Sequence, residues 1–264
     1  MLEIKEISKT FNAGTVNEKT ALKGVSLTLN DGDFVTVIGG NGAGKSTLLN
    51  AIAGTFAVDR GSISIGGQNV TRLPEYKRAA LIGRVFQDPM LGTAATMQIE
   101  ENLALAARRG QTRGLKWGIT KAEREKYRAL LQPLDLGLED RLTAKVGLLS
   151  GGQRQALTLL MASLQQPKLL LLDEHTAALD PKTAAKVLAL SDQIVAENHL
   201  TTLMITHNMK DAIRHGNRLL MMSAGKVVLD ISGEEKKKLT VEDLLHRFSL
   251  ASDGEMLSDR AILS

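Results

Sequence analysis

Residues 39–46 read GGNGAGKS, which fits the pattern G-x-x-x-x-G-K-[ST]. They follow the β-branched segment 33–38, typical of a strand, and lead into residues 45–53, whose apolar spacing is helical. The glycines let successive backbone N–H groups turn toward one point, and the start of the helix adds a positive dipole end. Lys45 could then reach the β- and γ-phosphates of a nucleotide, and the Ser46 hydroxyl could ligate Mg²⁺. The alternative, a glycine-rich turn without a ligand, is disfavoured by the strand–loop–helix context.

A second candidate feature is the apolar run at residues 169–172, which ends in Asp173 and Glu174. Four leucines fit a strand buried on both faces, and the carboxyl ends of parallel strands are where open sheets bind ligands. Asp173 is therefore a candidate for orienting Mg²⁺, and Glu174 could orient or activate an attacking water. The alternative is a pair of solvated carboxylates at the end of a strand.

A third feature is the sequence LSGGQ at residues 149–153, ahead of a predicted helix. A glycine-rich helix start with a hydroxyl could bind a second phosphate. Since one sheet offers a single ligand crevice, we interpret this motif as closing over a nucleotide held by another copy of the chain. The alternative is structural, with Ser150 acting as an ordinary N-cap.

Predicted strands alternate with predicted helices along most of the chain, which indicates a mostly parallel sheet covered on both faces. The predicted strands are residues 2–7, 25–29, 33–38, 62–65, 82–86, 168–173, 201–206, 218–223 and 226–231. The predicted helices are residues 45–53, 74–80, 99–109, 121–131, 151–165, 181–198, 208–215 and 241–248. The helix-rich residues from about 90 to 165 are interpreted as a subdomain inserted into this core.

The composition of the 264 residues excludes several function classes. The chain has no cysteine, which excludes a disulfide framework, a thiolate metal site and a cysteine nucleophile. Aromatic residues make up 3% of the chain, which argues against stacking platforms for nucleic acid. No apolar run approaches the roughly twenty residues of a membrane-spanning helix, and the N-terminus lacks a signal-peptide pattern, so the cytosol is the expected location.

Taken in order, these motifs resemble those of the nucleotide-binding subunit of an ATP-binding cassette (ABC) transporter. Residues 39–46 resemble its Walker A motif, residues 149–153 its signature, and residues 169–173 its Walker B motif. Four further positions match the family's pattern: Gln87 in VFQDP the glutamine loop, residues 178–180 the D-loop, His207 in ITHNM the switch histidine, and Phe11 an adenine-stacking aromatic. The resemblance covers about residues 1–235.

The resemblance implies a fold and a domain organisation. The implied fold class is α/β, a P-loop NTPase core with a mostly parallel sheet, an antiparallel β part at the N-terminus and an inserted helical subdomain that carries the signature. Residues 1–235 would form a single ABC ATPase domain, with the inserted subdomain at about 90–165. Residues 236–264 would add a C-terminal helix and a polar tail.

The resemblance also implies roles for individual residues in an ATPase that uses ATP and Mg²⁺. Catalytic roles fall to Lys45, Gln87, Glu174 and His207, and Mg²⁺ would be held by Ser46, Gln87 and Asp173. Nucleotide contacts fall to Phe11, Gly39, Gly40, Asn41, Gly42, Ala43, Gly44, Lys45, Ser46, Thr47, Ser150, Gly151, Gly152, Gln153 and Asp180. The signature residues would contact the γ-phosphate of ATP held by the opposite subunit.

The implied partners are a second ABC ATPase subunit, giving a homodimer, transmembrane permease subunits, and an extracytoplasmic substrate-binding protein, with no nucleic acid. The chain would then lie at the cytoplasmic face of the membrane and power import of a small solute, with an amino acid as the favoured class. The permease would dock near Gln87 and residues 99–105. An exporter subunit and a non-transport ABC ATPase acting on ribosomes or DNA remain alternatives.

Two stretches leave alternatives open. The basic residues 108–117 either form a solvated loop between two helices or contact the permease or anionic lipid headgroups. His175 stands where the family usually has a proline after the Walker B glutamate. It is either a simple substitution in a tight loop or a group that makes hydrolysis sensitive to pH near neutrality.

Overall fold

The computed structural model of the protein describes residues 1–111 and 118–251. Residues 112–117 of the basic stretch and the predicted polar tail at 252–264 lie outside the described residues. Two sheets and the helices around them form the described part of the chain.

The first sheet is antiparallel and has the strand order β2-β1-β4-β5. Its strands are β1 (Leu2–Phe11), β2 (Lys19–Leu29), β4 (Arg60–Ile65) and β5 (Gln68–Asn69). The predicted alternation is present, since Leu2, Ile4 and Ile7 are all buried. Strands β1 and β2 run further than predicted, as far as the pairing of Phe11 with Lys19, because a backbone ladder continues without an apolar pattern.

The second sheet has the strand order β10-β9-β3-β8-β7-β6 and is parallel except for the β9–β10 hairpin. Its strands are β3 (Phe34–Ile38), β6 (Ile82–Val85), β7 (Leu169–Asp173), β8 (Thr202–Ile205), β9 (Arg218–Ser223) and β10 (Lys226–Ser232). Asp173 pairs with Ile205, and Ile205 pairs with Val37, so the carboxyl ends of β7, β8 and β3 meet at one edge. The predicted α/β fold class is confirmed.

The helices lie within a few residues of their predicted positions. They are α1 (Lys45–Ala53), α2 (Glu75–Arg78), α3 (Ile99–Ala107), α4 (Lys121–Leu131), α5 (Gly151–Ser163), α6 (Pro181–Asn198), α7 (Met209–Arg214), α8 (Gly233–Lys237) and α9 (Val241–Ala251). Helices α3, α4 and α5 share a separate hydrophobic cluster with the segments that connect them. The polar helix α8 was not predicted, since residues 233–238 show only a charge run.

The carboxyl end of α1 is closed by a buried arginine from α2. The Arg78 guanidinium is 2% exposed and donates hydrogen bonds of 2.8 Å to the carbonyl oxygens of Ala51 and Ile52. Gly54 ends the helix with φ +85°. A Cβ at this position would lie 2.6 Å from the Arg78 Nε, so a larger residue would not fit beside the arginine. The helix dipole stabilises a cation at this end of α1. The hydrogen bonds of Arg78 also join α1 to α2.

Among residues 1–111 and 118–251, no helix combines the length and the apolar character needed to cross a membrane.

Candidate active site

The phosphate loop at residues 39–46 connects β3 to α1. At two of its positions the loop passes so close to a neighbouring backbone carbonyl that only glycine fits. Gly39 has φ +151°, and a Cβ there would lie 2.2 Å from the Met222 carbonyl oxygen. Gly44 has φ +102°, and a Cβ there would lie 2.7 Å from the Ala21 carbonyl oxygen. Any larger residue at either position would push the loop away from its neighbours.

The turn between β9 and β10 holds the phosphate loop from outside. The Gly225 amide donates to the Ala43 carbonyl oxygen at 3.0 Å, and the Lys23 amide donates to the Gly225 carbonyl oxygen at 2.9 Å. Gly225, at φ +83°, thus joins the loop to β2 through two backbone hydrogen bonds. The sequence indicates only a turn here, since residues 223–225 are serine, alanine and glycine, and it gives no sign of contact with the phosphate loop.

Lys45 lies inside the loop. Its side chain is 7% exposed, and its ammonium donates to the carbonyl oxygens of Gly39 at 2.7 Å and Gly40 at 3.2 Å. Burial lowers the pKa of Lys45, while the nearby carboxylates of Glu174 and Asp173 act in the opposite direction. The loop therefore holds a desolvated cation, the Lys45 ammonium, at the carboxyl edge of the sheet.

The other predicted loop residues differ in exposure. Ala43 and Gly44 are buried and Gly39, Gly40 and Thr47 are half-buried, whereas Asn41, Gly42 and Ser46 are exposed.

Asp173, at the end of β7, is paired with Arg84, which was not among the predicted site residues. Arg84 Nη2 lies 3.6 Å from Asp173 Oδ2, and the same nitrogen donates to Asn50 Oδ1 at 2.6 Å. The guanidinium also lies 4.5 Å from the centre of the Phe86 ring. Burial raises the pKa of Asp173, and the Arg84 charge opposes that rise. The one available signal was a charge inside the otherwise apolar strand β6.

Glu174 and His207 follow the neighbouring strands β7 and β8, and their side chains approach each other. His207 Nδ1 lies 3.7 Å from Glu174 Oε2, with the His207 side chain 57% exposed and that of Glu174 21% exposed. Glu174 has φ +44°, a strained conformation for a non-glycine residue, and its amide donates to the Ile205 carbonyl oxygen at 3.0 Å. Gln87 lies with Asp173 in an open cleft of about 590 Å³.

The three residues predicted to hold Mg²⁺ offer a hydroxyl (Ser46), an amide oxygen (Gln87) and a carboxylate (Asp173), all hard oxygen donors. Within the described residues, no group of three or more His, Cys, Asp and Glu side chains could hold a metal. A single carboxylate with neutral oxygens suits Mg²⁺, which keeps several waters and takes other ligands from substrate phosphates. The donor set therefore fits this ion.

The signature residues lie beside the start of α6. Ser150 caps α5, its Oγ accepting from the Gln153 amide at 3.3 Å while Gln153 Oε1 accepts from the Ser150 amide at 3.1 Å. A Cβ on Gly152 would lie 2.1 Å from Thr183 Cγ2, and Gly151 is close to Leu179. The structural alternative for Ser150 is thus present in the fold.

Asp180 caps α6, its Oδ1 accepting from the Thr183 amide at 3.1 Å. Thr183 also lines a cavity of about 110 Å³ with Ser150, Gly152 and Gln153. That cavity has no lining residue in common with the small one formed by Gly39, Gly40 and His207. The signature residues and Thr183, which Asp180 caps, therefore line one cavity, and none of the lining residues belongs to the phosphate loop.

Phe11 packs edge-on against Phe56, with ring centres 5.2 Å apart and ring planes at 83°. The Lys9 ammonium lies 5.6 Å from the centres of both rings. Phe11 is half-buried at the end of β1. Its stacking on adenine stays a prediction.

The pH-sensitive alternative for His175 is wrong. The side chain is 2% exposed, and its Nε2 lies 2.9 Å from Ser191 Oγ, inside the core against α6. Burial lowers the pKa of His175 to about 4, with His215 lowering it further and Asp192 opposing. The ring therefore stays neutral throughout the physiological range and is buried as a packing residue of the loop.

Comparison with known proteins agrees with this geometry. A family model described as ABC transporter matches residues 22–177. The tyrosine transport ATP-binding protein of Clostridioides difficile is 48% identical over 251 residues, covering 95% of this chain and 100% of that protein. The methionine import ATP-binding protein MetN of Rhizobium etli is 39% identical, covering 79% of this chain and 56% of that protein. A pyoverdine export ATP-binding/permease protein of Pseudomonas aeruginosa is 32% identical, covering 96% of this chain and 38% of that protein.

Among solved structures, the dimeric post-hydrolysis state of the ATP-binding cassette MJ0796, bound to ADP and phosphate, superposes with a TM-score of 0.75. It is 29% identical in sequence, and the match covers 88% of this chain and 98% of that one. The phosphate loop, the acidic strand end and the family match lead to one conclusion: this chain belongs to the ABC transporter family and is an ATP-binding ATPase subunit of that family.

Proposed function

We propose that this ATPase subunit powers import of a small solute through separate permease subunits. The observation that carries the catalytic part is the grouping of Lys45, Glu174 and His207 at the carboxyl edge of the parallel sheet. One cation and one carboxylate beside a loop of backbone N–H groups suit phosphoryl transfer to water, which needs positioning and charge neutralisation.

In this proposal the backbone N–H groups of the phosphate loop and the Lys45 ammonium bind the β- and γ-phosphates of ATP. The Glu174 carboxylate orients the attacking water and accepts its proton. The water oxygen forms a bond to the γ-phosphorus as the bond to the bridging oxygen breaks, and ADP and phosphate are released. His207 donates a hydrogen bond to the γ-phosphate. When bound to Ser46, Gln87 and Asp173, Mg²⁺ would neutralise charge on the β- and γ-phosphate oxygens.

We further propose that two copies assemble head to tail, each signature facing ATP on the other copy. The cavity that Ser150 lines includes no residue of the phosphate loop, which supports an arrangement in which the signature meets a nucleotide held by another copy. The related cassette MJ0796 is described as dimeric. Intact ATP would favour the closed dimer through these contacts, and hydrolysis would remove them.

The permease is proposed to dock at the cleft beside Gln87, at the cytoplasmic face of the membrane. Leu91, which lines this cleft, is 67% exposed, and the adjacent Met90 is 48% exposed. Of the apolar residues in 99–105, Ile99, Leu103 and Ala104 are buried in the helical cluster, so Leu105 is the one large apolar side chain of that segment offered to a partner. Exposed apolar side chains around a polar cleft are typical of an interaction surface.

The solute and the boundaries of the domain belong to the same proposal. Relatives named for tyrosine transport and methionine import favour an amino acid, delivered by an extracytoplasmic binding protein. The export relative keeps an exporter as the second candidate. Residues 1–235 would form the ATPase domain, and the helix that follows would be an addition to it.

The test is affinity purification of the tagged full chain from native membranes, with mass spectrometry of the proteins that copurify. We expect a permease, and we expect Leu91→Asp to remove it, whereas Tyr76→Asp, at an exposed residue of α2 outside the cleft lining, serves as the matched control. Uptake of radiolabelled tyrosine and methionine by cells that lack the chain then tests the solute. Copurification of ribosomes without a permease would contradict transport, and accumulation of the solute in cells without the chain would favour export.

A further inference from the structure

The short helix α7 begins two residues after the switch histidine. Asn208 caps the helix, its Oδ1 accepting from the amides of Lys210 at 2.9 Å and Asp211 at 3.2 Å, and His207 is the residue directly before this cap. The helix is six residues long. Because so short a helix has little stability of its own, the contacts that fix α7 also fix where His207 stands.

The carboxyl end of α7 is held by a buried lysine from α8. Lys236 is 2% exposed, and its ammonium donates to the carbonyl oxygens of His215 and of Gly216, the latter at 2.9 Å. Burial lowers the pKa of Lys236 to about 8, and Asp192 opposes that shift. A positive charge at a helix carboxyl end is favourable, and these hydrogen bonds offset the cost of burying it.

Helix α9 also packs against α7. Leu244 is fully buried in a cluster that contains Ile38, the last residue before the phosphate loop, and Met209 and Ala212 of α7. Phe248, one turn further on, lines a small cavity with Gly39, Gly40 and His207. Residues 233–248 therefore contact both the beginning of the phosphate loop and the helix that follows the switch histidine.

We propose that Lys236 and Phe248 are positioning residues that hold His207 at the γ-phosphate end of the phosphate loop. This rests on the γ-phosphate contact assigned to His207 in the proposed function. Lys236 fixes the far end of α7, while Phe248 lines the same small cavity as His207 and the two loop glycines. The C-terminal segment thereby contributes to the recognition of ATP over ADP, although it lies outside the matched family region at residues 22–177.

The alternative is that residues 233–248 only stabilise the fold. A second contact at the end of α7, between His215 and Asp192, has such a structural role. His215 Nδ1 lies 2.7 Å from Asp192 Oδ2 and anchors the end of α7 to α6 independently of α8. A purely structural role predicts that losing Lys236 lowers thermal stability and the affinities for ATP and ADP alike. A positioning role predicts a selective loss of affinity for ATP.

The test uses the full chain with Glu174→Gln, so that ATP is not consumed, and measures the affinities for the fluorescent analogues mant-ATP and mant-ADP. Lys236→Met is expected to reduce the preference for mant-ATP about 3- to 10-fold, the effect of one weakened hydrogen bond, with mant-ADP affinity unchanged within about twofold. Lys236→Arg should restore most of the preference. The control is Lys237→Met, which removes an exposed lysine paired with Glu234 and should change neither affinity.

Phe248→Ala keeps Lys236 and should reduce the same preference, so the test does not depend on one variant folding. His207→Ala alone examines the proposed function and should also lower the preference for mant-ATP. Lys236→Met added to His207→Ala should cause no further loss. The inference is overturned if Lys236→Met and Phe248→Ala leave the preference unchanged, or lower it equally in the absence of His207. An unchanged preference in His207→Ala alone would instead reject the role assigned to that histidine.

Discussion

The guanidinium of Arg84 lies 3.6 Å from the carboxylate of Asp173, and both side chains are more than four-fifths buried, at 14% and 16% exposure. Asn50 and the Phe86 ring hold Arg84 in place. A cation from β6 thus reaches the end of β7, where its charge adds to that of Lys45 in offsetting the desolvation of the Asp173 carboxylate.

Replacing Arg84 by methionine leaves Asp173 buried without its cation, and we expect the free energy of unfolding to fall by about 2–4 kcal/mol. Urea denaturation measures the change. The matched control is Arg128→Met, which removes an exposed ion pair with Glu125 and should cost less than about 1 kcal/mol. Equal effects of the two variants would show that the Arg84–Asp173 pair is not important for the stability of β7.

Glu174→Gln should trap ATP and the closed dimer while lowering the turnover number by at least about 10²-fold, because the amide cannot accept a proton from water. Phosphate release measures turnover, and analytical ultracentrifugation with ATP measures the dimer. Glu197→Gln, an exposed change on α6, is the control. ATPase rates equal to those of the parent would overturn the role of Glu174.

Ser150→Asp should abolish the ATP-dependent dimer formed by the Glu174→Gln protein, because the new carboxylate would face the phosphates of the partner's nucleotide. Aspartate and asparagine both cap helices as well as serine does, so helix α5 should keep its stability. Ser150→Asn is therefore the control for capping without charge. Sedimentation with ATP distinguishes the outcomes, and a normal dimer in Ser150→Asp would mean that the signature does not face a phosphate in trans.

The buried His175 predicts a loss of stability in acid. Its pKa is about 4 in the folded chain against 6.5 as the ordinary value, so between these pH values the unfolded chain binds a proton that the folded chain does not. Stability is therefore present above pH 6.5 and is lost as the pH falls, by about 2 kcal/mol at pH 5. We expect His175→Gln to lack this part of the pH dependence in urea denaturation, whereas the exposed His199→Asn should retain it. Identical slopes in all three proteins would contradict the burial of the ring.

The sequence alone predicts those parts of the fold and of the candidate site whose residues are neighbours in the chain. The phosphate loop, with α1 starting at Lys45, and the strand ending at Asp173 were predicted from consecutive residues and are found in the fold. Local reasoning could not find Arg84, because its partner Asp173 is 89 positions away and the strand pattern gives only an unexplained charge. The direction of the His175 side chain is also set by packing, since the serine that contacts it belongs to the next helix.

Lys236 illustrates the same limit, because its charge run is typical of a solvated surface. Lys237 and Lys238 are exposed to solvent, as this pattern predicts. Lys236, the first of the three consecutive lysines, is buried instead and contacts the end of α7. Neither composition nor spacing distinguishes it from Lys237.

The hydrogen bonds of Gly225 have a consequence for the order in which the protein forms during synthesis. The Gly225 amide and carbonyl group join Ala43 to Lys23. Strand β9, which pairs with β3, lies just before Gly225 and is therefore also synthesised late. A nascent chain that has left the ribosome only as far as α6 already contains every residue of the phosphate loop, but not the turn that holds it. We therefore expect nucleotide capture to begin abruptly, once residue 225 has emerged, and not gradually as the polypeptide lengthens.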